Sequence, residues 1–155
     1  MIIREATEQD LHSVLSLYEQ LGMDDGNVLT PDDAKVIFRR MKSYPDYTLY
    51  VAVSDNDIIG AFSLLIMDNL AHEGAPSGII EDVIVREDLR GLGIGSRMMN
   101  FAMHLCKKKG CYKLALSSNI QRESAHRFYE KLAFKKHGHS FVVDLAEGEG
   151  DHISL

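Results

Sequence analysis

Three glycines alternate through Arg90-Gly91-Leu92-Gly93-Ile94-Gly95, followed by Ser96, where an apolar segment, Ile79 to Val85, gives way to a helical pattern. Glycines let successive backbone N–H groups turn toward one point, and a helix N-terminus adds about half a positive charge there, so the loop suits a pyrophosphate. Arg90 and Arg97 stand where they could reinforce it. The rival readings of such a loop fit poorly. A nucleoside-triphosphate loop needs Gly-Lys-Ser/Thr at its end, and Gly95-Ser96-Arg97 lacks that lysine; a dinucleotide fingerprint needs its third glycine where Ser96 stands. Glu81 and Asp82 interrupt the apolar segment just before the loop. Acids inside a strand call for a reason, either proton transfer or ion pairing with the basic part of the chain.

The elements that must position these residues follow from periodicity. Met1 to Ala6 reads as a strand, and Thr7 caps a helix with the stripe Leu11, Val14, Leu15, Tyr18. Gly22 to Leu29 reads as a loop. Thr30-Pro31-Asp32-Asp33 opens a second helix that runs to about Met41, with a capping threonine, proline at the first position and acids in the first turn. Tyr47 to Ser54 and Ile58 to Met67 form a hairpin about Asp55-Asn56-Asp57. Asp68 to Gly78 is a loop, and Ile79 to Val85 is the acid-bearing strand. After the glycine loop, Met98, Met99, Ala102, Met103, Leu105 and Cys106 make an apolar helical stripe that Lys107-Lys108-Lys109-Gly110 ends. Cys111 to Leu116 is a strand; Ser124, Ala125, Phe128, Tyr129 and Leu132 are a further helical stripe. Phe134 to Asp144 reads as a closing pair of strands around Gly138, and an acidic tail from Ala146 reads as frayed. This order calls for an α/β sheet with helices on both faces.

Composition narrows the function classes. A chain of 155 residues with 45% apolar and 26% charged residues fits one globular domain spanning 1–155. No apolar run approaches the roughly 20 residues that would cross a bilayer, and the charged start from Met1 to Asp10 does not resemble a secretory signal, so a cytoplasmic protein is expected. The net charge of -6 argues against nucleic acid as a partner. From Arg86 to Lys136 there are twelve Lys/Arg against four Asp/Glu, and the remainder has five against nineteen. One part suits an anionic ligand and the other a cationic one. Cys106 and Cys111 are too few and too local for a disulfide framework and read as reduced, packed thiols.

Taken together, Glu81-Asp82-Val83-Ile84-Val85, the loop Arg90 to Ser96, and Ala125-His126-Arg127-Phe128-Tyr129-Glu130-Lys131-Leu132-Ala133-Phe134 resemble the GNAT superfamily of acetyl-CoA-dependent N-acetyltransferases. The resemblance covers about Ile79 to Phe134. It implies a mixed, mostly antiparallel central sheet with helices on both faces, and a V-shaped opening beside the acid-bearing strand. Pantetheine would pair along Val83, Ile84 and Val85, and the pyrophosphate would sit on Arg90, Gly91, Leu92, Gly93, Ile94, Gly95 and Ser96. The family's tyrosine at the position of Tyr129 stands near the thioester sulfur; read without the family, Tyr129 is one more member of a core stripe. Asn119 is the nearest asparagine to the family's cofactor-contacting one, whose place is taken by Arg122. Alanine at 133 stands where the family usually has glycine. Homodimers are common among members.

The chemistry so implied needs a neutral amine, a stabilised oxyanion and a protonated leaving thiolate. An amine with a pKa near 10 is mostly protonated at pH 7, so a carboxylate must take its proton, and Glu81 and Asp82 are the candidates. Adjacent residues on a strand point to opposite faces, so only one looks into the opening unless the strand bulges there. Tyr129 would donate to the sulfur, and a backbone N–H near Val83 would hold the oxyanion. The branch most resembled includes polyamine, glucosamine-phosphate and aminoalkylphosphonate acetyltransferases, with a small amine-bearing molecule as acceptor, cationic or amino-sugar-like. A protein lysine or N-terminal acetyltransferase and a CoA-binding protein without turnover are the alternatives. No metal is expected; His137 and His139 would share a strand face, but as surface or substrate-facing residues rather than a metal pair. His72 and Glu73 read as a solvated loop.

Overall fold

A computed structural model describes residues 1–21 and 26–143, and the chain divides into two compact units, Met1–Asn119 and a second that begins at Ile120. The first holds strands β1 (Ile2–Glu5), β2 (Tyr47–Ser54), β3 (Asp57–Met67), β4 (Ser77–Val85) and β5 (Lys113–Leu116), with helices α1 (Leu11–Glu19), α2 (Pro31–Met41) and α3 (Ile94–Lys108). The strands lie in sequence order in one sheet, antiparallel throughout except for the parallel pair β4 and β5.

Local chemistry sets most of these boundaries. The β2–β3 hairpin turns on Asp55 and Asn56 at φ 51° and 68°, the left-handed conformation that a two-residue turn needs and that these side chains tolerate best after glycine. Thr30 caps α2, its hydroxyl accepting the Asp33 N–H at 3.2 Å, with Pro31 in the first turn where no N–H is needed. At the end of α3, Cys111 N–H bonds to Cys106 O at 2.9 Å and Gly110 N–H to Lys107 O at 3.1 Å, with Gly110 at φ 75°. That pair of bonds is the Schellman stop expected of Lys-Gly after a helix.

Helices cover both faces of the sheet. On one, Leu11, Val14 and Leu17 of α1 and Ala34 and Phe38 of α2 join Leu49, Val51, Ala61 and Ile84 in a single apolar cluster. On the other, α3 packs so closely that a Cβ on Gly60 would fall 2.8 Å from Met98 Sδ, and one on Gly78 would fall 2.5 Å from Cys106 Sγ. Cys106 is accordingly buried, its thiol pushed up to about 12 by burial and then by neighbouring Cys111.

The second unit carries α4 (Glu123–Lys131). The closing strands expected from Phe134 onward do not form: residues 134–143 contain no strand, and Phe141, Val142 and Val143 are 91%, 88% and 75% exposed. Strand-forming residue types need a ladder partner and a face to bury, and this unit offers no second strand among its described residues. His137 and His139 are therefore exposed residues of irregular chain rather than a pair on a strand face. Asp144, the acidic tail and residues 22–25 of the expected loop lie outside the described residues. No helix among those described is long and apolar enough to cross a membrane.

Candidate active site

The two acids on β4 sit at a break in its pleat. Gly78 abuts α3, and Ile80, two residues on, keeps that face, yet Ile84 belongs to the apolar cluster under α1 and α2. Regular alternation would have put Ile80 and Ile84 on the same face. The register shows the cause: Ser63 pairs with Glu81 and Ala61 with Ile84, so Phe62 alone on β3 is opposed by Asp82 and Val83 on β4. Asp82 takes the extra place at φ 52°, the left-handed conformation of a one-residue bulge.

The bulge answers the geometric objection to paired acids. Ser63 is opposite Glu81 on the face that α1 covers, and the hydroxyl of Tyr18 on α1 feels the charge of Asp82. Glu81 thus shares the face of Ser63, and Asp82 is close enough for its charge to act on Glu81. Both side chains are exposed, yet the partial loss of solvent around them pushes the Glu81 carboxyl above its ordinary range, the Asp82 charge adding to this, and raises Asp82 as well. Of the residues that follow, Ile84 is 2% exposed in the core, and Val83 and Val85 are half-buried.

The edge of β4 beside the acids is open. Pairing with β5 runs only from Ser77↔Lys113 to Ile80↔Leu116, so the backbone from Glu81 to Val85 lies beyond that ladder. Just past the end of β5, Ser118 Oγ is buried with no hydrogen-bond partner among the described residues. Asn119, one residue further, is exposed. Beyond β4, Gly91 and Gly93 take φ 83° and 81°, values that favour glycine, and a Cβ on either would meet nothing within 4 Å. Gly93 caps α3, and the Arg97 N–H bonds to its carbonyl at 3.1 Å. The N–H groups of Ile94, Gly95 and Ser96 precede that bond, so the loop offers donors and room together. The two arginines are tied back: Arg90 Nε donates to Val85 O at 3.3 Å, and Arg97 to Met1 O at 3.2 Å.

Tyr129, in the second unit, stands on α4 with its ring edge-on to Phe128 and Phe134, centroids 5.1 Å and 5.7 Å away. Burial raises its hydroxyl above the ordinary value, against the lowering effect of Arg122. His72 and Glu73 are exposed, and His72 stacks on Tyr112 at 3.9 Å between centroids. They lie at the Ser77 end of β4, roughly 15 Å along the strand from Asp82. A cavity of about 320 Å³ beside the glycine loop, lined by Leu92, Ile94, Arg97, Arg86 and Asp57, and another of about 230 Å³ between α2 and β2 are not lined by either acid.

Residues 11–134 match the sequence profile of the acetyltransferase (GNAT) family. The chain belongs to that family. Among relatives, it is 38% identical over 88 residues to a glucosamine 6-phosphate N-acetyltransferase of Trypanosoma brucei brucei, an alignment covering 57% of this chain and 58% of that protein. It is 28% identical over 143 residues to the aminoalkylphosphonate N-acetyltransferase of Salmonella typhimurium, covering 92% and 90%. The crystal structure of glucosamine-6-phosphate N-acetyltransferase from Arabidopsis thaliana superposes with a TM-score of 0.81 at 25% identity, covering 93% of this chain and 97% of that one. The mixed, mostly antiparallel sheet of this GNAT chain, with helices on both faces, is the fold its sequence led one to expect.

Two polar residues near the acids, Tyr18 and Ser63, were not among the expected site residues. Tyr18 fell on the apolar stripe of α1, where it packs against the core. Ser63 carried a signal: it is the one polar residue within the run from Ile58 to Met67, and it is 2% exposed. A polar side chain buried within an apolar strand calls for a reason.

Proposed function

We propose that this chain transfers the acetyl group of acetyl-CoA directly to the primary amine of a small acceptor that also bears a phosphate or phosphonate, an amino-sugar phosphate first among them. The observation that carries the reading is the bulge at Asp82, which breaks the strict alternation of Glu81 and Asp82 on a strand whose edge, beyond its pairing with β5, leads toward the glycine loop. The names of the two relatives share an amine and a phosphorus oxyanion, which favours that class over the purely cationic acceptors suggested by the acidic surplus.

The open space over Gly91 and Gly93 fits the pyrophosphate of CoA, held by the backbone of Arg90 to Ser96; the edge of Val83, Ile84 and Val85 takes pantetheine, with Asn119 and Tyr129 as further contacts. Bound there, acetyl-CoA supplies an activated carbonyl and a thiolate leaving group. Glu81 or Asp82 takes the proton of the amine. Their raised pKa values make them better bases. A backbone N–H near Val83 supports the carbonyl oxygen. Tyr129, its phenol kept protonated by burial, gives its proton to the sulfur.

Thiol release from acetyl-CoA, measured with glucosamine 6-phosphate, 2-aminoethylphosphonate, spermidine and a lysine peptide, tests this. Turnover is expected with the two phosphorus-bearing amines, falling on the order of 100-fold in Tyr129→Phe and in Glu81→Gln or Asp82→Asn. Unchanged turnover in all three variants overturns the mechanism. Preference for the peptide would make the protein a protein acetyltransferase, and failure to bind CoA would remove the site.

A further inference from the structure

Cys106 and Cys111 bracket the stop at the end of α3, both as free thiols, and the scheme above uses neither. The Cys111 N–H bonds to Cys106 O at 2.9 Å. Covalent geometry holds a carbonyl oxygen about 2.4 Å from its own Cα and an amide nitrogen about 1.5 Å from its own, so a bond of that length keeps the two Cα atoms within about 6.8 Å of each other. A disulfide spans roughly 4.4–6.8 Å between Cα atoms. The bond is the outer one of the Schellman stop, and the residues at its two ends are those whose side chains meet when such a stop carries a side-chain contact. The backbone thus places the two cysteines where a bridge needs no rearrangement of the chain.

Their surroundings differ. Cys106 is 4% exposed, and its Sγ lies against Gly78 of β4, only 2.5 Å from where a Cβ there would fall. Burial keeps that thiol protonated and makes it a poor first nucleophile. Cys111 is half-buried, between the helix stop and β5, and reaches solvent. Lys107, Lys108, Lys109 and Lys113 are all exposed near it in the chain, with Lys109 Nζ bonded to Asp46 at 2.8 Å. A surface of that sign favours the approach of an anionic reagent.

We propose that Cys106 and Cys111 form a redox-active dithiol, a modification site for anionic low-molecular-weight disulfides. Cys111 attacks one sulfur of the reagent: a new S–S bond forms on Cys111, the reagent's own S–S bond breaks, and the departing thiolate takes up the proton Cys111 lost. Cys106 then attacks Cys111 Sγ. The internal bridge forms, the mixed disulfide breaks, and the second small thiol leaves with the Cys106 proton. Two protein thiols lose two electrons in all, and one small disulfide is reduced to two thiols. The bridge ties the last turn of α3 to the start of β5, and it goes beyond the proposed acetyl transfer, on which it does not depend.

Glutathione disulfide is the probe. The full chain, reduced and freed of reductant, is incubated with an excess of it and read by intact mass. Wild type should lose about 2 Da, the mass of two hydrogens, and regain it with dithiothreitol. Lysines 107 to 109 let trypsin cut between the cysteines, so without reductant peptide 98–107 should stay joined to peptide 110–113. Cys106→Ala should stop at an adduct of about 305 Da on Cys111, the mixed disulfide with no thiol to resolve it. That variant removes a packed side chain, so Cys111→Ser is its companion: it should neither lose the hydrogens nor take an adduct on buried Cys106. A wild type that keeps both thiols, stops at the adduct, or links through Cys111 to a second copy overturns the pair, and an adduct formed on Cys106 in Cys111→Ser as fast as wild type reacts overturns the order of attack.

Discussion

At the scale of single residues, Asp82 holds two demands in one place. The bulge needs a left-handed residue, and the reaction proposed needs a carboxylate; aspartate tolerates φ 52° better than any residue of comparable chemistry except asparagine. Its folded-state pKa is raised, so folding favours the protonated form and the ionised form costs stability at pH 7. Asp82→Asn keeps the turn and removes that cost. Its thermal midpoint should exceed the wild type's at pH 7, and the gain should vanish as pH falls through the raised pKa, while acetyl transfer collapses. Asp82→Ala removes the same charge but sets a residue with no local hydrogen bond at a left-handed position, so it should be less stable than Asp82→Asn by about 1 kcal/mol. Thermal unfolding of the three proteins at pH 7 and near pH 4 decides this; an asparagine variant less stable than wild type at pH 7 would show that the carboxylate has stabilising partners that outweigh its desolvation.

At the scale of elements, the end of α4 reveals a compromise of the same kind. Phe134 N–H bonds to Tyr129 O at 3.1 Å and Ala133 N–H to Glu130 O at 3.1 Å, with Ala133 at φ 67°. This is the glycine-type helix stop, with alanine in the left-handed place. Glycine there relieves the Cβ clash at some cost in chain entropy, so Ala133→Gly should stabilise the protein by roughly 0.5–1 kcal/mol without changing acetyl transfer. Denaturant unfolding is the measurement, and a loss of stability would mean that the Ala133 methyl packs usefully. The same contrast explains what the sequence could disclose. The hairpin at Asp55-Asn56, the Thr30-Pro31 start and the Lys-Gly stop of α3 were legible because each is decided within a few residues. So were Glu81, Asp82 and the glycine loop, as residue types in a fixed order. The bulge was not, because it is a matter of one residue on β3 facing two on β4, and no local pattern counts across strands. The strands expected after Phe134 failed in the opposite way: the residue types were present, but no strand forms among the described residues 134–143.

Over the whole molecule, acid acts on groups of opposite sense. Asp10, 7% exposed where β1 passes to α1, takes a bidentate pair from Arg4 at 2.7 Å and 2.9 Å and two further bonds from Thr7, N–H at 2.8 Å and hydroxyl at 3.0 Å. Arg4 first, then the Thr7 bonds, overcome the cost of burial and hold the Asp10 carboxyl at about 2. A depressed folded-state pKa contributes stability that is complete above the unfolded value near 4 and is lost as pH falls through 2, up to about 2 kcal/mol in all. Glu81 and Asp82 are raised instead, and protonating them relieves strain as the pH enters the carboxylate range. On the acid limb the relief at Glu81 and Asp82 therefore opposes the losses at Asp10 and at Glu8, which Arg39 also holds below its ordinary range, and stability should fall as those two titrate. Asp10→Asn isolates its share. The variant should be less stable than wild type by roughly 2 kcal/mol at pH 7, since it keeps the side-chain shape but loses the charge that Arg4 binds, and the difference should close as wild-type Asp10 itself becomes protonated near pH 2. Denaturant titrations of both proteins at pH 7, 4 and 2 measure it. A difference that stays constant across that range would assign the contribution of Asp10 to hydrogen-bond geometry rather than to its charge.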